Sequence, residues 1–301
     1  MGKSVLGRIV QFVLLVLVAA MPAAASAESW PYGEGLLWRV ERIGQSPSFV
    51  FGTLHSSDEL VTDLPPPVAA AFDGASILAT EVVLDEQAMA SLLQAMSLPL
   101  GRNLSEILSP EIYSDLKLAA AHYRMPMSLL SRLKPWAIMT LFSLPPAEYM
   151  RNRAGLVPLD EKLQFDARAA GKRLVALESA EEQIAALDGV SEQDQVALLA
   201  VTLVEAADIE RNFGAMRDAY LSGNLVAIRD RWNRSVVDHG EAAGRFEDRL
   251  IEQRNHKMVA RMADLLRQGN AFIAVGALHL PGESGILNLL AGQGYKIDRV
   301  Y

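Results

Sequence analysis

The stretch FVFGTLH, residues 49–55, is matched near the other end of the chain by FIAVGALH, residues 272–279. Each is an apolar run, a glycine, and a histidine three residues after the glycine. Such a run ending at a glycine predicts a buried strand that turns at its carboxyl end. In an open α/β sheet, ligands collect outside the carboxyl ends of the strands. If the two strands are neighbours, His55 and His279 therefore point into one crevice.

The residue types in the two motifs suit a metal site. Gly52 and Gly276 let the backbone turn tightly or pass close to a ligand, and an imidazole nitrogen is a good ligand for a first-row transition metal. Two imidazoles leave such a site incomplete. Glu81, inside the apolar run LATEVV, is the candidate third ligand, because a buried charge is costly unless it is paired or bound to a metal. The alternatives are satisfied loop histidines and a Glu81 that faces solvent from an edge strand.

A long amphipathic segment, residues 245–268, predicts a helix whose apolar face includes Arg254, with Asn255 beside it. A fixed positive charge in an apolar stripe needs a partner. That partner is Glu81, or a carboxylate or carbonyl of a substrate, or a carboxylate in a purely structural ion pair. Both residues are candidates for the catalytic set.

Other polar residues fit ordinary structural roles. Five carboxylates are interpreted as helix-start residues near the positive end of a helix dipole: Asp160, Glu161, Glu178, Glu181 and Glu182. Three histidines in polar helical contexts are expected to face water: His122, His239 and His256. The chain has no HExxH, no Gly-x-Ser-x-Gly, no phosphate-binding loop and no dinucleotide fingerprint.

Composition excludes further classes. The chain of 301 residues contains no cysteine, which excludes disulfides, thiol catalysis and lipid attachment at a cysteine. Its formal net charge of −8 disfavours nucleic acid and anionic lipid as partners, because basic side chains supply most of that affinity. The charge says little else about partners; the expected partner is a peptide or small-molecule substrate.

The first 27 residues have the pattern of a cleavable signal peptide. Lys3 and Arg8 precede an apolar run, residues 9–21, and Ala25-Ser26-Ala27 supplies the small residues of a cleavage site. The run is shorter than the ~20 residues needed to span a bilayer. We expect cleavage after Ala27 and a periplasmic or secreted mature protein with no integral membrane segment.

The rest of the chain, residues 28–301, predicts a single α/β domain. Strand patterns lie near both ends, and a helical stretch from about residue 86 to 240 lies between them. Strands that alternate with helices at both ends of a helical middle favour a mixed central sheet flanked by helices, with an inserted helical subdomain.

These motifs resemble the TraB/PrgY/GumN family, to which the Tiki metalloproteases belong. The likeness rests on FVFGTLH, LATEVVLD, LKPW, LDEKL, the pair Arg254-Asn255 and FIAVGALHLPGESGILNLL. It implies an α/β core with a helical insertion. In the Tiki branch, the two motif histidines and an acidic residue support metal-dependent peptide cleavage. Those residues correspond here to His55, His279 and Glu81.

The leading hypothesis is a periplasmic metal-dependent hydrolase that acts on peptide bonds. His55 and His279 would bind a divalent transition metal, Zn²⁺ or Mn²⁺, and no other cofactor is expected. Glu81 would complete the coordination or act as general base, and Arg254 would stabilise an oxyanion or a substrate carboxylate. The alternative is a protein of the same fold that binds haem or a metal, or sequesters a ligand, without turnover.

Overall fold

In the computed structural model, residues 30–83 and 85–301 are described, apart from the side chains of residues 232–240. The expected signal peptide, residues 1–27, and its cleavage site lie outside the described residues. So do Leu84 and the side chain of His239.

The described residues form one mixed sheet of six strands. The strands are β1 (Leu37–Glu41), β2 (Ser48–Thr53), β3 (Ile77–Thr80), β4 (Arg173–Ala176), β5 (Ala271–Gly276) and β6 (Lys296–Arg299). Their order is β4-β3-β5-β2-β1-β6. The first four strands in that order run parallel, and β1 is antiparallel to β2 and β6. The predicted mixed α/β sheet flanked by helices is therefore confirmed.

Helices make up most of the rest of the described chain. In order they are α1 (Glu59–Thr62), α2 (Pro66–Gly74), α3 (Glu86–Met96), α4 (Pro110–His122), α5 (Met127–Leu130), α6 (Pro135–Phe142), α7 (Pro146–Arg153), α8 (Leu159–Ala169), α9 (Ala180–Asp188), α10 (Glu192–Glu205), α11 (Ile209–Leu221), α12 (Leu225–Glu247), α13 (Gln253–Gln268) and α14 (Ile286–Gly292). None of them is long and apolar enough to cross a membrane.

The three central strands β3, β5 and β2 are buried because their sequences are almost wholly apolar. Nearly every residue of ILAT, AFIAVG and SFVFGT is inaccessible to solvent, which is typical of parallel strands covered on both faces. The pairing of β2 with β5 sets Thr53 opposite Gly276. The strands that carry the two histidine motifs are therefore neighbours.

The helical middle of the chain packs around α6, whose eight residues are all buried. Lys134, just before α6, bonds both oxygens of Asp188 at 2.8 Å, and the indole Nε1–H of Trp136 donates to the same carboxylate at 2.8 Å. The LKPW segment is thus a polar anchor for α9 on α6. Strand β4 lies within this middle region and joins it to the sheet through β3.

Two element boundaries differ from the sequence expectation. The run SILATEVVL predicts a strand containing Glu81, but β3 ends at Thr80. The hydroxyl of Thr80 donates to the carbonyl of Val82 at 3.0 Å and so turns the backbone out of the sheet.

The second difference concerns a helix boundary: the sequence pattern predicts a break between Val237 and Arg245. No proline interrupts this region, and α12 runs on to Glu247 and through a π-helical turn, Asp248–Glu252, into α13.

Gly52 allows the turn after β5 to lie directly on β2. A Cβ atom at Gly52 would lie 2.8 Å from the Cδ1 atom of Leu280 and 3.2 Å from the Cα atom of Ala277. Its φ is not positive, so the requirement for glycine here is steric rather than conformational. Close packing of Ala277–His279 over β2 brings the ends of the two histidine motifs together.

We expect Gly52→Ala to lower the free energy of unfolding by about 1–3 kcal/mol, because the added methyl group must displace backbone atoms in a packed core. Gly214→Ala is the matched control. Gly214 lies inside α11, and a Cβ atom added there would have nothing within 4 Å, so alanine should raise stability by about 0.5–1 kcal/mol. Urea unfolding measures both changes. Equal effects of the two substitutions would contradict the steric role of Gly52.

Candidate functional site at the carboxyl ends of the parallel strands

Polar side chains follow each of the four parallel strands. Glu81 follows β3, Glu178 follows β4, His279 lies in the 3₁₀ turn after β5, and His55 follows β2. Carboxyl ends of parallel strands meet at one edge of a sheet, which is where α/β folds build their sites. The sheet order therefore gathers these residues from four separate parts of the sequence.

Arg254 is buried between two carboxylates. Its Nε donates to both oxygens of Glu178 at 3.0 and 2.9 Å, and its Nη2 donates to Glu178 Oε2 at 2.6 Å and to Glu81 Oε2 at 2.7 Å. Its Nη1 donates to the carbonyl of Leu250 at 3.1 Å. Arg254 and Glu178 are only 3% and 2% exposed. All three nitrogens of the guanidinium group are therefore engaged by the protein.

Glu178 was expected to be a helix-start carboxylate, but that role belongs to its neighbours. Ser179 and Glu182 form the capping box of α9, whereas Glu178 points into the core and pairs with Arg254. The position of Glu178 two residues after the strand RLVA could have indicated this, because a carboxylate also follows the strand that precedes Glu81.

The Glu81 carboxylate is held ionised by its partners. Its Oε1 accepts the backbone N–H of Gly276 at 2.6 Å, and its Oε2 accepts Arg254. Burial alone raises the pKa of Glu81, but the charge and hydrogen bonds of Arg254 and the Gly276 N–H outweigh burial and lower this pKa to about 2. A Cβ atom at Gly276 would lie 3.2 Å from Oε1, so the glycine leaves room for the carboxylate.

His279 is buried and neutral, and its tautomer follows from its neighbour. The amide nitrogen of Asn255 donates to the carbonyl of Ser284 at 2.8 Å, so the amide oxygen faces His279 Nδ1 at 2.6 Å. Nδ1 must therefore carry the proton. Burial lowers the pKa of His279 to about 4, although Glu81 acts in the opposite direction.

The remaining ring nitrogen of His279 faces another acceptor. With the proton on Nδ1, Nε2 presents a lone pair, and it lies 3.7 Å from Oε1 of the ionised Glu81. Two acceptors that face each other in a buried place are unfavourable unless a donor or a cation lies between them. This pair is the chemical centre of the candidate site.

His55 lies at the same edge and contacts Asp160. Its Nδ1 is 3.2 Å from Asp160 Oδ2, and the hydroxyl of Thr53 donates to Asp160 Oδ1 at 2.5 Å. Asp160 does lie in the first turn of α8, as expected for a helix-start carboxylate. The contact with His55 was not predicted, because it depends on how α8 packs beside β2.

The loop after His55 is fixed by a buried carboxylate that sequence patterns did not single out. Glu148 is fully buried and accepts the hydroxyls of Ser56 and Ser57, each at 2.6 Å, and the backbone N–H of Ser57 at 2.8 Å. Arg151 bridges Glu148 and Asp58. The loop that carries His55 is thus held by ion pairs and hydrogen bonds on its buried side.

The donor atoms are suitable for a metal, but a complete preformed site is absent from the described part of the chain. There, no three His, Cys, Asp or Glu side chains form a group that could hold a metal ion. His279 and Glu81 supply an imidazole nitrogen and a carboxylate oxygen side by side, and His55 follows the adjacent strand. The assignment of these three residues as metal ligands stays a prediction. His122 and His256 are exposed, as expected.

Comparison with known proteins gives one family and several distant relatives. A family model described as the TraB/PrgY/gumN family matches residues 36–299. The Metalloprotease TIKI1 of Danio rerio is 24% identical over 87% of this chain and 62% of its own length, and that of Homo sapiens is 25% identical over 92% and 65%. The Uncharacterized protein YbaP of Shigella flexneri is 26% identical over 82% and 89%.

The aligned region is about three-fifths of the length of the TIKI relatives. No solved structure matches the chain significantly. The residues matched by the family model include all six strands of the sheet. Several of the relatives are named metalloproteases.

We expect Arg254→Met to lower the free energy of unfolding by about 3–5 kcal/mol, because it leaves Glu178 and Glu81 buried without their cation. Arg267→Met, on the same helix, is the matched control. Arg267 is exposed and pairs with Asp264 one turn away on the helix surface, so its loss should change stability by less than about 0.5 kcal/mol. Urea unfolding of both variants tests this. A small effect of Arg254→Met would show that Arg254 does not compensate the buried charges of Glu178 and Glu81.

We also expect a pH dependence from His279 in protein treated with a chelator. The pKa of His279 falls from an ordinary 6.5 to about 4 on folding, so between these values the unfolded chain binds a proton that the folded chain does not. Stability should therefore fall as the pH is lowered from 6.5 toward 4.5, by about 1.4 kcal/mol per pH unit. His279→Gln should flatten this slope, whereas His122→Gln should leave it unchanged. Parallel slopes in all three proteins would contradict a neutral, buried His279.

Proposed function

The chain belongs to the TraB/PrgY/gumN family, whose model covers residues 36–299, and from this premise we propose that it is a metal-dependent hydrolase that cleaves peptide bonds. The relatives named metalloproteases support a metalloprotease-like function at the level of the family. The substrate class, the metal and the place of action are parts of the proposal.

One observation carries the proposal: His279 Nε2 and Glu81 Oε1 face each other as two acceptors 3.7 Å apart. Arg254 holds Oε2 of Glu81, and the Gly276 N–H directs Oε1 toward His279. A bound cation would lie between the two acceptors and satisfy both.

The donor set favours a transition metal, Zn²⁺ or Mn²⁺. Imidazole nitrogens suit zinc and carboxylate oxygens suit manganese, and both ions accept mixtures of the two. We propose His279, Glu81 and His55 as the residues that would hold the ion. When bound, such an ion polarises a carbonyl group and lowers the pKa of a bound water molecule toward ~7.

The contacts of Glu81 favour a ligand role over a general-base role. A general base works best with a pKa near the operating pH, whereas the pKa of Glu81 is about 2. Its Oε2 is taken by Arg254, and its Oε1 is directed by the Gly276 N–H toward His279. We therefore propose that Glu81 binds the cation through Oε1.

The contacts of Arg254 favour positioning rather than oxyanion stabilisation. Its three nitrogens already donate to Glu178, Glu81 and the carbonyl of Leu250. In this proposal Arg254 fixes the Glu81 carboxylate, and Asn255 fixes the His279 ring. Gly276 leaves the space that the Glu81 carboxylate and the His279 ring occupy, and Gly52 lets the turn that carries His279 pack on β2.

The proposed place of action is the periplasm or the extracellular medium. Support comes from the positively charged and apolar pattern of residues 1–27. Residues 28–301 would then form a single α/β domain with the helical insertion between residues 86 and 240.

A second candidate, metal binding without turnover, is favoured by the low exposure of the site. The side chains of His279 and Glu81 are only 5% and 13% exposed, which leaves a large substrate little access to them. Haem ligation by the same histidines is the related case. An absorbance spectrum of the purified protein tests haem binding. A Soret band that corresponds to one haem per chain would favour haem binding over the hydrolase proposal.

We expect the purified protein to contain close to one transition-metal ion per chain, and His55→Ala and His279→Ala to lose it. His122→Ala, which removes an exposed histidine, should keep it. Elemental analysis of the four proteins after gel filtration measures this. Equal metal content in all four, or none in any, would refute the proposed coordination.

We further expect the metal-loaded protein to hydrolyse casein, and Glu81→Gln to lower the rate at least 100-fold. A chelator should abolish the activity, and added Zn²⁺ or Mn²⁺ should restore it in the unsubstituted protein. Glu181→Gln is the control, since Glu181 lies in the exposed first turn of α9. A metal-loaded protein without activity on casein or on blocked peptides would favour the binding role instead.

A further inference from the structure

The two outer strands of the sheet differ in how their free edges are protected. β6, at one edge, carries Lys296, Asp298 and Arg299 among its four residues. Charged side chains on an outer strand discourage pairing with another chain. β4, at the opposite edge, has the sequence RLVA, in which only the first residue is charged. The sequence of β4 therefore leaves this edge of the sheet suited to a further strand.

The pairing of β4 with β3 turns two residues of β4 outward. The N–H groups of Arg173 and Leu177 donate to carbonyl groups beside the two ends of β3, at 3.1 and 2.8 Å. Successive residues of a strand direct their backbone groups to opposite sides, so Leu174 and Ala176 direct N–H and C=O away from β3. Among the described residues, none forms a hydrogen bond with these outward groups. Ala176 is exposed and Leu174 is half-buried, so the groups are open to a partner.

Three cations lie together at the amino end of β4. Arg168 is in the last turn of α8, and the tight turn that follows brings Lys172 and Arg173 beside it. Their hydrogen-bond partners are all neutral oxygens: the amide oxygens of Gln164 and Gln268 and the carbonyls of Asp73 and Ala75. Within the described part of the chain, none of the three cations forms an ion pair. This end of β4 is therefore a local positive site in a chain of net charge −8.

The carboxyl end of β4 leads into the candidate site. Glu178, two residues after β4, pairs with Arg254, and Arg254 also holds Glu81. Four strand residues rise ~13 Å along the chain. An extended segment of four or five residues that lies along β4 would therefore reach from the cations to the edge where the four parallel strands end.

We propose that β4 binds an extended acidic peptide as a seventh strand of the sheet. The outward backbone groups of Leu174 and Ala176 would supply main-chain hydrogen bonds, as in other cases of strand addition. Arg168, Lys172 and Arg173 would bind an acidic residue of the peptide. The inference names the substrate class of the proposed hydrolase, and it rests on that function only for cleavage of the peptide. Binding to β4 does not require the metal.

The first test measures binding of a fluorescein-labelled, amide-capped peptide, Val-Glu-Val-Glu-Val-Glu, by fluorescence anisotropy. EDTA is present to prevent cleavage. Leu174→Pro removes one outward N–H group at a position where an outer strand tolerates proline, so it should raise Kd about tenfold. Leu174→Ala, which shortens the same side chain but keeps the N–H group, is the matched control and should retain most of the affinity.

The second test concerns the charge of the peptide and of the strand. Arg173→Glu should raise Kd at least about tenfold, whereas Lys296→Glu, the same change of charge on β6, should leave it unchanged. A Val-Lys-Val-Lys-Val-Lys probe should bind at least about tenfold more weakly than the glutamate peptide. Equal affinity for the two peptides, or equal effects of the two substitutions, would overturn the acidic preference.

A readout on the unsubstituted protein guards against misfolding of the proline variant. Addition of the glutamate peptide should slow hydrogen exchange of the Leu174 and Ala176 amides, as followed by NMR. No binding of the probe, no protection of these amides, or equal affinity of the Leu174 variants would overturn strand addition. A dimer that Leu174→Pro dissociates, without binding of the probe, would assign the edge to a second copy of this chain instead.

Failure of the proposed function would give a different result. If the peptide binds at β4 but metal-loaded protein cleaves neither this peptide nor casein, the hydrolase proposal fails and the peptide-binding edge is retained. If metal-loaded protein cleaves casein while the β4 variants change neither binding nor cleavage, the edge proposal fails and the hydrolase is retained.

Discussion

The buried ion pairs of Arg254 hold the candidate site together. One guanidinium group binds Glu178 behind β4 and Glu81 behind β3 from a helix that lies next to β5 in the chain. Removing Arg254 would leave two carboxylates buried without compensation, which costs far more than the net contribution of the intact cluster. The cluster also fixes a direction: with Oε2 held by Arg254, only Oε1 of Glu81 is turned toward His279. The proposed metal affinity therefore depends on a cation supplied by the protein itself.

Much of the fold could be predicted from local patterns because the central strands are almost continuously apolar, and β2 and β5 carry a glycine at or next to their last residue. The hairpin of β1 and β2, the proline-led start of α2 and the strand β5 each have a signal contained within a few residues. A shared edge for the two histidine motifs could be expected only on the assumption that their strands are neighbours, because carboxyl ends of parallel strands share an edge. What the patterns lacked was the sheet order β4-β3-β5-β2. Without it, the placement of Glu178 beside Glu81 could not be known.

The partners of the buried charged residues could not be predicted from local sequence patterns. Asp160 and Glu148 both occur in helices where a carboxylate is unremarkable, and their significance depends on contacts with residues 105 and 92 positions away. Conversely, the apolar stripe around Arg254 correctly indicated that its charge needs a partner, but two carboxylates satisfied that need rather than one. A sequence pattern can show that a buried charge needs a partner. Only the packing of elements that are distant in the sequence shows which residues pair with it.

The π-helical turn, Asp248–Glu252, has a consequence for comparing this chain with its relatives. Such a turn holds one residue more than a regular helical turn, and one residue corresponds to about 100° of rotation around a helix axis. The additional residue therefore rotates Arg254 and Asn255 relative to the residues of α12 that precede the turn. A relative with an uninterrupted helix here would need a one-residue gap in the alignment, and placing the gap elsewhere would pair its Arg-Asn dipeptide with the wrong positions.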